Sequence, residues 1–300
     1  MNMGVFRPYV SVIIPTYHDW DRLKMCVKSL QLQTYPTDLF EVIIVNNDPA
    51  DEVPPTISLP ANFAILHESA QGSYAARNKG VAVAKGDILA FTDSDCIPEY
   101  TWIEAAVSYF GTHPEIDRIG GEVNLFTVDS RYTLAEAYEV VYAFRQEENV
   151  KEDTSVTANM FTRKKVFDKI GLFDSSMFSG GDFEWGKRAA QNNFRIGFSA
   201  EVIVHHPARR DLKQLINKVK RVASGNYLMN GEKKSAIFRH IDFLYEIRPP
   251  VNEFRLIYSR GKQLTFKLKM LVFLLRYQIR VLRAFEEIKL FYGVVPYRDV

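Results

Sequence analysis

Two periods of apolar and polar residues alternate along the first 125 positions of the chain. Short β-branched runs at 10–14, 41–45, 63–66 and 88–92 have the length and composition of buried strands. Between the first two, Leu23, Cys26, Val27 and Leu30 recur at i, i+3, i+4 and i+7. That spacing is the core-facing stripe of a helix and predicts one over about 21–33. A second helix is predicted over about 73–85, stopped by Gly86. Strands separated by helices pair in parallel through right-handed crossovers and are covered on both faces, so the pattern predicts a doubly wound α/β sheet. Farther on it predicts helices around 102–110, 134–148, 163–170 and 182–192, with strands at 119–125, 157–162 and 194–204. From 211 the character changes to basic helices, and the ArgProProVal run at 248–251 marks a break before the last segment. One α/β domain over 1–210 with a helical extension over 211–300 is therefore expected.

Composition narrows the class. With 47% hydrophobic and 25% charged residues in 300, the chain is neither disordered nor fibrous. Cys26 and Cys96 supply no disulfide framework and no CxxC zinc spacing, which fits a reducing compartment. The opening MetAsnMetGlyValPheArgProTyrVal lacks the apolar core of a signal peptide, so a cytoplasmic location is expected. Net charge is only +2, yet residues 1–200 carry 18 basic and 27 acidic side chains while 201–300 carry 20 and 9. Such a split points to a tail that meets an anionic partner.

The most basic stretch of that tail is 262–285, with six basic residues and no acidic one. On a helical wheel Lys262, Lys269, Arg276, Arg280 and Arg283 share one sector, and Leu264, Leu268, Leu271, Leu275, Ile279 and Leu282 form a separate stripe. Each cation would cost roughly 2.5 to 3.5 kcal/mol at a bilayer centre, which rejects a spanning helix. Two readings stay open: a helix lying on an anionic membrane surface, or a leucine stripe packed on the catalytic domain beneath a solvated basic face. Further apolar side chains at Phe266, Met270, Phe273, Leu274 and Tyr277 favour the membrane. A protein peripheral on the inner face of the cell membrane is expected.

Ligands of an open parallel sheet bind beyond the carboxyl ends of its strands, and polar clusters fall there. Pro15, Thr16 and Tyr17 follow the first strand, Asn46, Asn47 and Asp48 the second, and Asp93, Ser94 and Asp95 the fourth. Two carboxylates at i, i+2 after a strand can meet one divalent cation, Mg²⁺ or Mn²⁺, bridging a diphosphate, or can simply form an Asx-rich turn. Gly72 to Gly80 opens a helix with small residues and adds Arg77 and Lys79, cations suited to a phosphate or a base edge. Asp182 follows two glycines at a helix start, where it can be a general base or an N-cap. His205 and His206 follow a strand, and because adjacent side chains point opposite ways at most one can reach the same metal.

Taken in order, ValSerValIleIleProThrTyr (10–17), ThrTyrPro (34–36), GluValIleIleValAsnAsnAsp (41–48), GlySerTyrAlaAlaArgAsnLysGly (72–80), PheThrAspSerAspCys (91–96), GlyLeuPheAsp (171–174) and GlyGlyAspPheGluTrpGlyLysArg (180–188) resemble a family 2 glycosyltransferase over about 10–210. The resemblance implies the GT-A fold, a nucleotide-binding half over 1–125 and an acceptor-binding half over 126–210. It implies a nucleotide-sugar donor, usually with inversion, and a saccharide or lipid-linked acceptor in surface polysaccharide or glycolipid assembly. Nucleic acid is not an expected partner.

On the matching positions, Pro15, Thr16, Tyr17, Asn46 and Asp48 would line the nucleotide pocket, Arg77 would lie near the base or diphosphate and Asp93 near the ribose. Asp95 would hold the metal, with His206 the better match to the family's late histidine, and Asp182 would be the base. Glu184 and Trp185 would face the acceptor. The sequence departs from the family at Asn46, where an Asp is usual, and at Gly181, where a Glu precedes the base. The GlnXXArgTrp of processive members is absent, the LysValLysArg run at 218–221 lacking the Trp, so one sugar per encounter is expected.

Rival classes make different demands. A sugar nucleotidyltransferase should show a Gly-rich loop with Arg after the first strand, where ProThrTyrHisAsp stands, and a dinucleotide oxidoreductase needs GxGxxG, which is missing. A non-catalytic, membrane-docked scaffold would explain the departures at Asn46 and Gly181.

Overall fold

The computed structural model describes residues 7–230, 236–295 and 297. The expectation of no signal peptide bears partly on residues 1–6, which lie outside the described residues. The chain runs β1 (Val10–Thr16), α1 (Trp20–Gln31), β2 (Phe40–Asn46), β3 (Phe63–His67), α2 (Ser73–Val83) and β4 (Ile88–Thr92), as the periodicity predicts. It continues through β5 (Ile97–Pro98), α3 (Trp102–Thr112), β6 (Arg118–Phe126), α4 (Leu134–Tyr142), α5 (Gln146–Lys151), β7 (Asn159–Arg163), α6 (Lys164–Ile170), α7 (Gly181–Gln191) and β8 (Ile196–Pro207). Four more helices follow, α8 (Leu212–Asn230), α9 (Ala236–Glu246), α10 (Phe254–Arg260) and α11 (Phe266–Phe291).

The strands form one sheet in the order β3-β2-β1-β4-β7-β6-β8-β5. The first four are parallel, and β7 then runs antiparallel to both β4 and β6, as β5 does to β8. The doubly wound expectation thus holds only as far as β4. Beyond it, pairing is pinned by a polar side chain that carries no signal in the apolar pattern. Buried Asn159 donates to the carbonyls of Glu122 (2.7 Å) and Val202 (2.8 Å) and accepts from the indole of Trp102 (2.9 Å), tying β7 to β6, β8 and α3. Every residue of β1 and β4 is buried. Each fully buried Val, Ile, Leu or Phe side chain on them contributes about 1.5 to 3 kcal/mol.

The helix predicted over 134–148 is broken. A capping box between Thr133 and Glu136 starts α4 as helix rules require, but the chain leaves the helix at Ala143, and Phe144 takes a left-handed φ of 46°. Two tertiary interactions outweigh continuation. The Phe144 ring packs on His206 with centroids 4.6 Å apart. Gln146 is buried, donates to the Asn159 carbonyl (3.0 Å) and accepts from the Val156 amide (2.9 Å).

Two compact units are distinguished, one comprising Met1–Asn124, Phe144–Ser176 and Gly181–His206, the other Leu125–Ala143, Met177–Gly180 and Pro207–Val300. In the second unit α4, α8, α10 and α11 share a core built from Ala135, Tyr138, Val141, Leu215, Ile257, Leu264, Val272, Leu275 and Ile279. A buried charge cluster accompanies it. Glu139 receives Arg209 through Nη1 and the main-chain amide, both at 2.8 Å, and Lys218 at 2.9 Å. Burial alone would raise the Glu139 carboxyl, but the two cations bring it down to about 2. Burial and the neighbouring Arg209 lower the Lys218 ammonium to about 8.

This core also takes up much of the 262–285 segment. Leu264, Leu275 and Ile279 are buried within the second unit. Much of the basic sector is spent on internal carboxylates. Arg276 forks onto Glu253 (2.7 and 3.0 Å), Arg280 meets Glu246 (3.4 Å) and Glu253 (3.5 Å), and Arg283 meets Glu246 (3.2 Å). Most of the leucine stripe is therefore packing, and these three arginines are not a free membrane-facing row. Phe273 also packs, stacking on Phe254, whereas Phe266, Leu271 and Leu274 are exposed, as are Lys262 and Lys267.

Candidate active site

Parallel pairing aligns the carboxyl ends of β1, β2 and β4, with Thr16 opposite Asn46. Asp93, Asp95 and Cys96 leave the end of β4 and meet His206 from β8, with one ligand atom from each lying within 4.8 Å of all the others. His206 Nε2 lies 3.5 Å from Asp95 Oδ1. The pairing of Ile97 with His205 brings the end of β8 to this place, and strand alternation turns the two histidines apart. His205 instead holds Glu99 at 2.5 Å. The resemblance preferred His206, and the register places that histidine, not His205, beside Asp95.

The donor set fits a hard or borderline divalent cation, with carboxylate oxygens and one imidazole. Cys96 is the fourth member of the group, and burial and then the fields of Asp93 and Asp95 push its thiol well above the ordinary range. Arg77, buried in α2, donates Nη2 to Asp93 Oδ1 at 2.5 Å. Its Nε has no hydrogen-bond partner among the described residues, and neither has the buried Thr16 Oγ1 at the end of β1. Orphaned buried donors are costly, and at a sheet rim they suit a bound polar ligand. Arg22 lies 3.4 Å from Asp95 Oδ2 and donates Nε to Asp19 (2.7 Å), which also accepts from Ser94 Oγ (3.2 Å).

At the end of β2, Asn46 is fully buried and its amide is used by the local loop. Nδ2 donates to the Asp51 carbonyl (2.7 Å) and Oδ1 accepts from the Asp48 amide (3.1 Å). An Asp could not make the first of these bonds, which gives the departure at Asn46 a local cause. Asp48 itself lies 3.0 Å from His18 Nε2, and Pro15 is buried while Tyr17 is exposed. Asn78, one residue past Arg77, bonds both main-chain groups of Phe173 (2.8 and 3.0 Å), so two of the quoted motifs are joined structurally.

Asp182 is not the cap of α7 but its second residue. Its Oδ1 accepts from Tyr74 hydroxyl (2.9 Å) and from the Phe183 amide (3.0 Å), and Oδ2 accepts from the Thr157 amide (3.2 Å). Burial raises its pKa above the ordinary carboxylate value, against the lowering pull of the Tyr74 hydroxyl, the Arg77 charge and the two amides. A raised carboxylate is a stronger base, the property a proton acceptor needs.

The structure corrects the acceptor assignment at Trp185, which is fully buried, stacked on Phe167 (4.4 Å) and donating to the Gly171 carbonyl (3.0 Å). It is a core residue. Glu184 has both oxygens on Arg188 (2.6 and 3.0 Å). Sequence reasoning missed Arg22, Asp19 and Tyr74. Arg22 and Asp19 lie near the first rim segment, which was a usable signal, whereas the Tyr74 pairing with a residue 108 positions away had none.

Residues 11–171 match the family model described as glycosyl transferase family 2. The chain is 39% identical over 228 residues to glycosyltransferase AglE of Haloferax volcanii, covering 73% of each. It is 20% identical over 239 residues, 74% of each, to the dolichyl N-acetyl-alpha-D-glucosaminyl phosphate 3-beta-D-2,3-diacetamido-2,3-dideoxy-beta-D-glucuronosyltransferase of Methanococcus voltae. Among solved structures it is similar to mannosyltransferase PcManGT of Pyrobaculum calidifontis in complex with GDP-Man and Mn²⁺, with a TM-score of 0.56, 14% identity and coverage of 97% and 78%. S. aureus TarS 1–349 in complex with UDP matches with a TM-score of 0.51, 18% identity and coverage of 97% and 94%. At these identities the two structures establish the likeness of fold.

Proposed function

Because the chain belongs to glycosyl transferase family 2, with the GT-A fold, we propose that it moves one sugar per encounter, with inversion, from a nucleotide-sugar donor to a hydroxyl of a saccharide or lipid-linked acceptor. The observation that carries this reading is the convergence of Asp93, Asp95 and His206 at the carboxyl end of β4. Asp95 and His206 would hold Mg²⁺ or Mn²⁺, and the chemistry supplied there is neutralisation of negative charge on the departing nucleoside diphosphate. Thr16 and Arg77, each with a buried donor to spare, would bind the nucleotide, and Asp93, bonded to Arg77, would serve the ribose. Pro15 and Tyr17 complete the pocket, while Asn46 acts through the loop that presents Asp48. Asp182 takes the acceptor proton on Oδ2 as the hydroxyl oxygen bonds to the anomeric carbon from the face opposite the diphosphate, whose bond breaks. No covalent enzyme intermediate is required.

Thermal shift tests the nucleotide and metal together. UDP or GDP with Mn²⁺ should raise the melting midpoint, by a binding contribution of about 2.7 kcal/mol at a hundredfold excess over Kd, and either alone should raise it less. Slow release of nucleoside diphosphate from UDP- or GDP-sugars should accompany it. A protein that releases no nucleoside diphosphate from a nucleotide-sugar with Mn²⁺ would be a scaffold and not a transferase.

Among the described residues no helix is long and apolar enough to cross a membrane. Peripheral attachment remains part of the proposal, relocated to the exposed residues Phe266, Lys267, Leu271 and Leu274 of α11 and the exposed Lys262 before it. The dolichyl-linked substrate in the name of the Methanococcus voltae relative supports a lipid carrier. Flotation with anionic vesicles at low salt should capture the protein, and Phe266→Glu with Leu274→Glu should abolish capture. Equal flotation of the double variant removes α11 from the proposal.

A further inference from the structure

Gly181 stands where the family pattern has Glu, and its surroundings give a reason. A Cβ at Gly181 would lie 2.8 Å from Tyr74 Cε2 and 3.0 Å from Cδ2 and Cζ, so no side chain fits unless the ring moves. The ring has little freedom to do so. Tyr74 is buried and packs on Phe173 with centroids 5.6 Å apart. Gly180, just before, has φ 79°, a region that favours glycine, so the turn delivers Asp182 to Tyr74 through two glycines.

The hydroxyl end completes the arrangement. Tyr74 donates at 2.9 Å to Asp182 Oδ1, which also accepts the Phe183 amide, while Oδ2 holds the single, longer bond from Thr157. The two oxygens are thereby made unequal. We propose that Tyr74 is a positioning residue for the catalytic carboxylate, its ring requiring glycine at 181 and its hydroxyl occupying Oδ1 so that Oδ2 is the atom presented to the acceptor hydroxyl. This rests on the reading of Asp182 as the base.

Three variants test it, assayed as nucleoside diphosphate released from UDP- or GDP-sugars with Mn²⁺. Tyr74→Phe keeps the ring and should keep the donor KM, with a melting midpoint lowered by a few degrees for the lost buried hydrogen bond, while kcat falls about tenfold. The groups facing Asp182 are Tyr74 and Arg77 from α2 and the amides of Thr157 and Phe183. Losing the Tyr74 donor disfavours the carboxylate form, so the acidic limb of the pH profile should move to higher pH. Gly181→Ala should displace the ring and also lower kcat, and adding Tyr74→Phe to it should cost little more, because the hydroxyl has already left Oδ1. A Tyr74→Phe protein with unchanged kcat, or with lower kcat and an unmoved acidic limb, overturns the inference while an inactive Asp182→Asn leaves the base assignment standing. An active Asp182→Asn overturns both.

Discussion

Asp182→Asn is expected to bind nucleoside diphosphate with Mn²⁺ as the parent does and to transfer sugar more slowly by a factor on the order of 10² or more. The amide keeps the volume of the carboxylate at a buried position, and its oxygen can still accept from Tyr74 and the Phe183 amide. Its nitrogen then faces the Thr157 amide, donor against donor, at a cost of about 1 to 3 kcal/mol. What the variant cannot do is accept the acceptor's proton. Parent and variant should therefore share nucleotide affinity and differ in turnover, measured as single-turnover transfer at saturating donor. Turnover within a few fold of the parent would leave Asp182 as a structural residue of the α7 start.

The second large effect is expected at Asp95. Asp95→Ala should lose the Mn²⁺-dependent part of nucleotide binding, with metal affinity down by about 10² or more, since even indirect supports of a metal ligand are worth 10- to 100-fold. The fold should survive. Asp95 sits at a rim, and its 3.4 Å pair with exposed Arg22 is worth at most about 1 kcal/mol. Titration of Mn²⁺ in the presence of UDP or GDP, followed by calorimetry, reads the affinity directly, and the melting midpoint without metal checks the fold. If the variant binds Mn²⁺ and nucleotide as the parent does, the cation is not at Asp95 and His206.

The comparison of Asp95 with Trp185 shows how far residue patterns reach. Both lie in motifs of the same family, but Asp95 follows an apolar strand whose direction and end were legible, so its rim position followed from local order. Trp185 lies on a helix, where the buried face depends on what packs against it. The 4.4 Å stack on Phe167 fixes that face. The same distinction separates the prediction of α1, whose stripe of Leu23, Cys26, Val27 and Leu30 is buried as expected, from that of the 134–148 helix, whose break answers to His206 and Asn159.

By itself the sequence determined the elements with strong local periods, the four parallel strands β1 to β4 and the polar groups at their carboxyl ends. Strand and helix periods are set by backbone geometry within a few residues, so they are written in the order of side chains. Tertiary structure alone decided which histidine meets Asp95, that Tyr74 holds Asp182, that Asn159 ties β7 to β6 and β8, and that Arg276, Arg280 and Arg283 face Glu246 and Glu253. Each of these joins side chains that are distant in the chain or packed against different elements. Their energies depend on distance, burial and the competing partners in space, which no local pattern encodes.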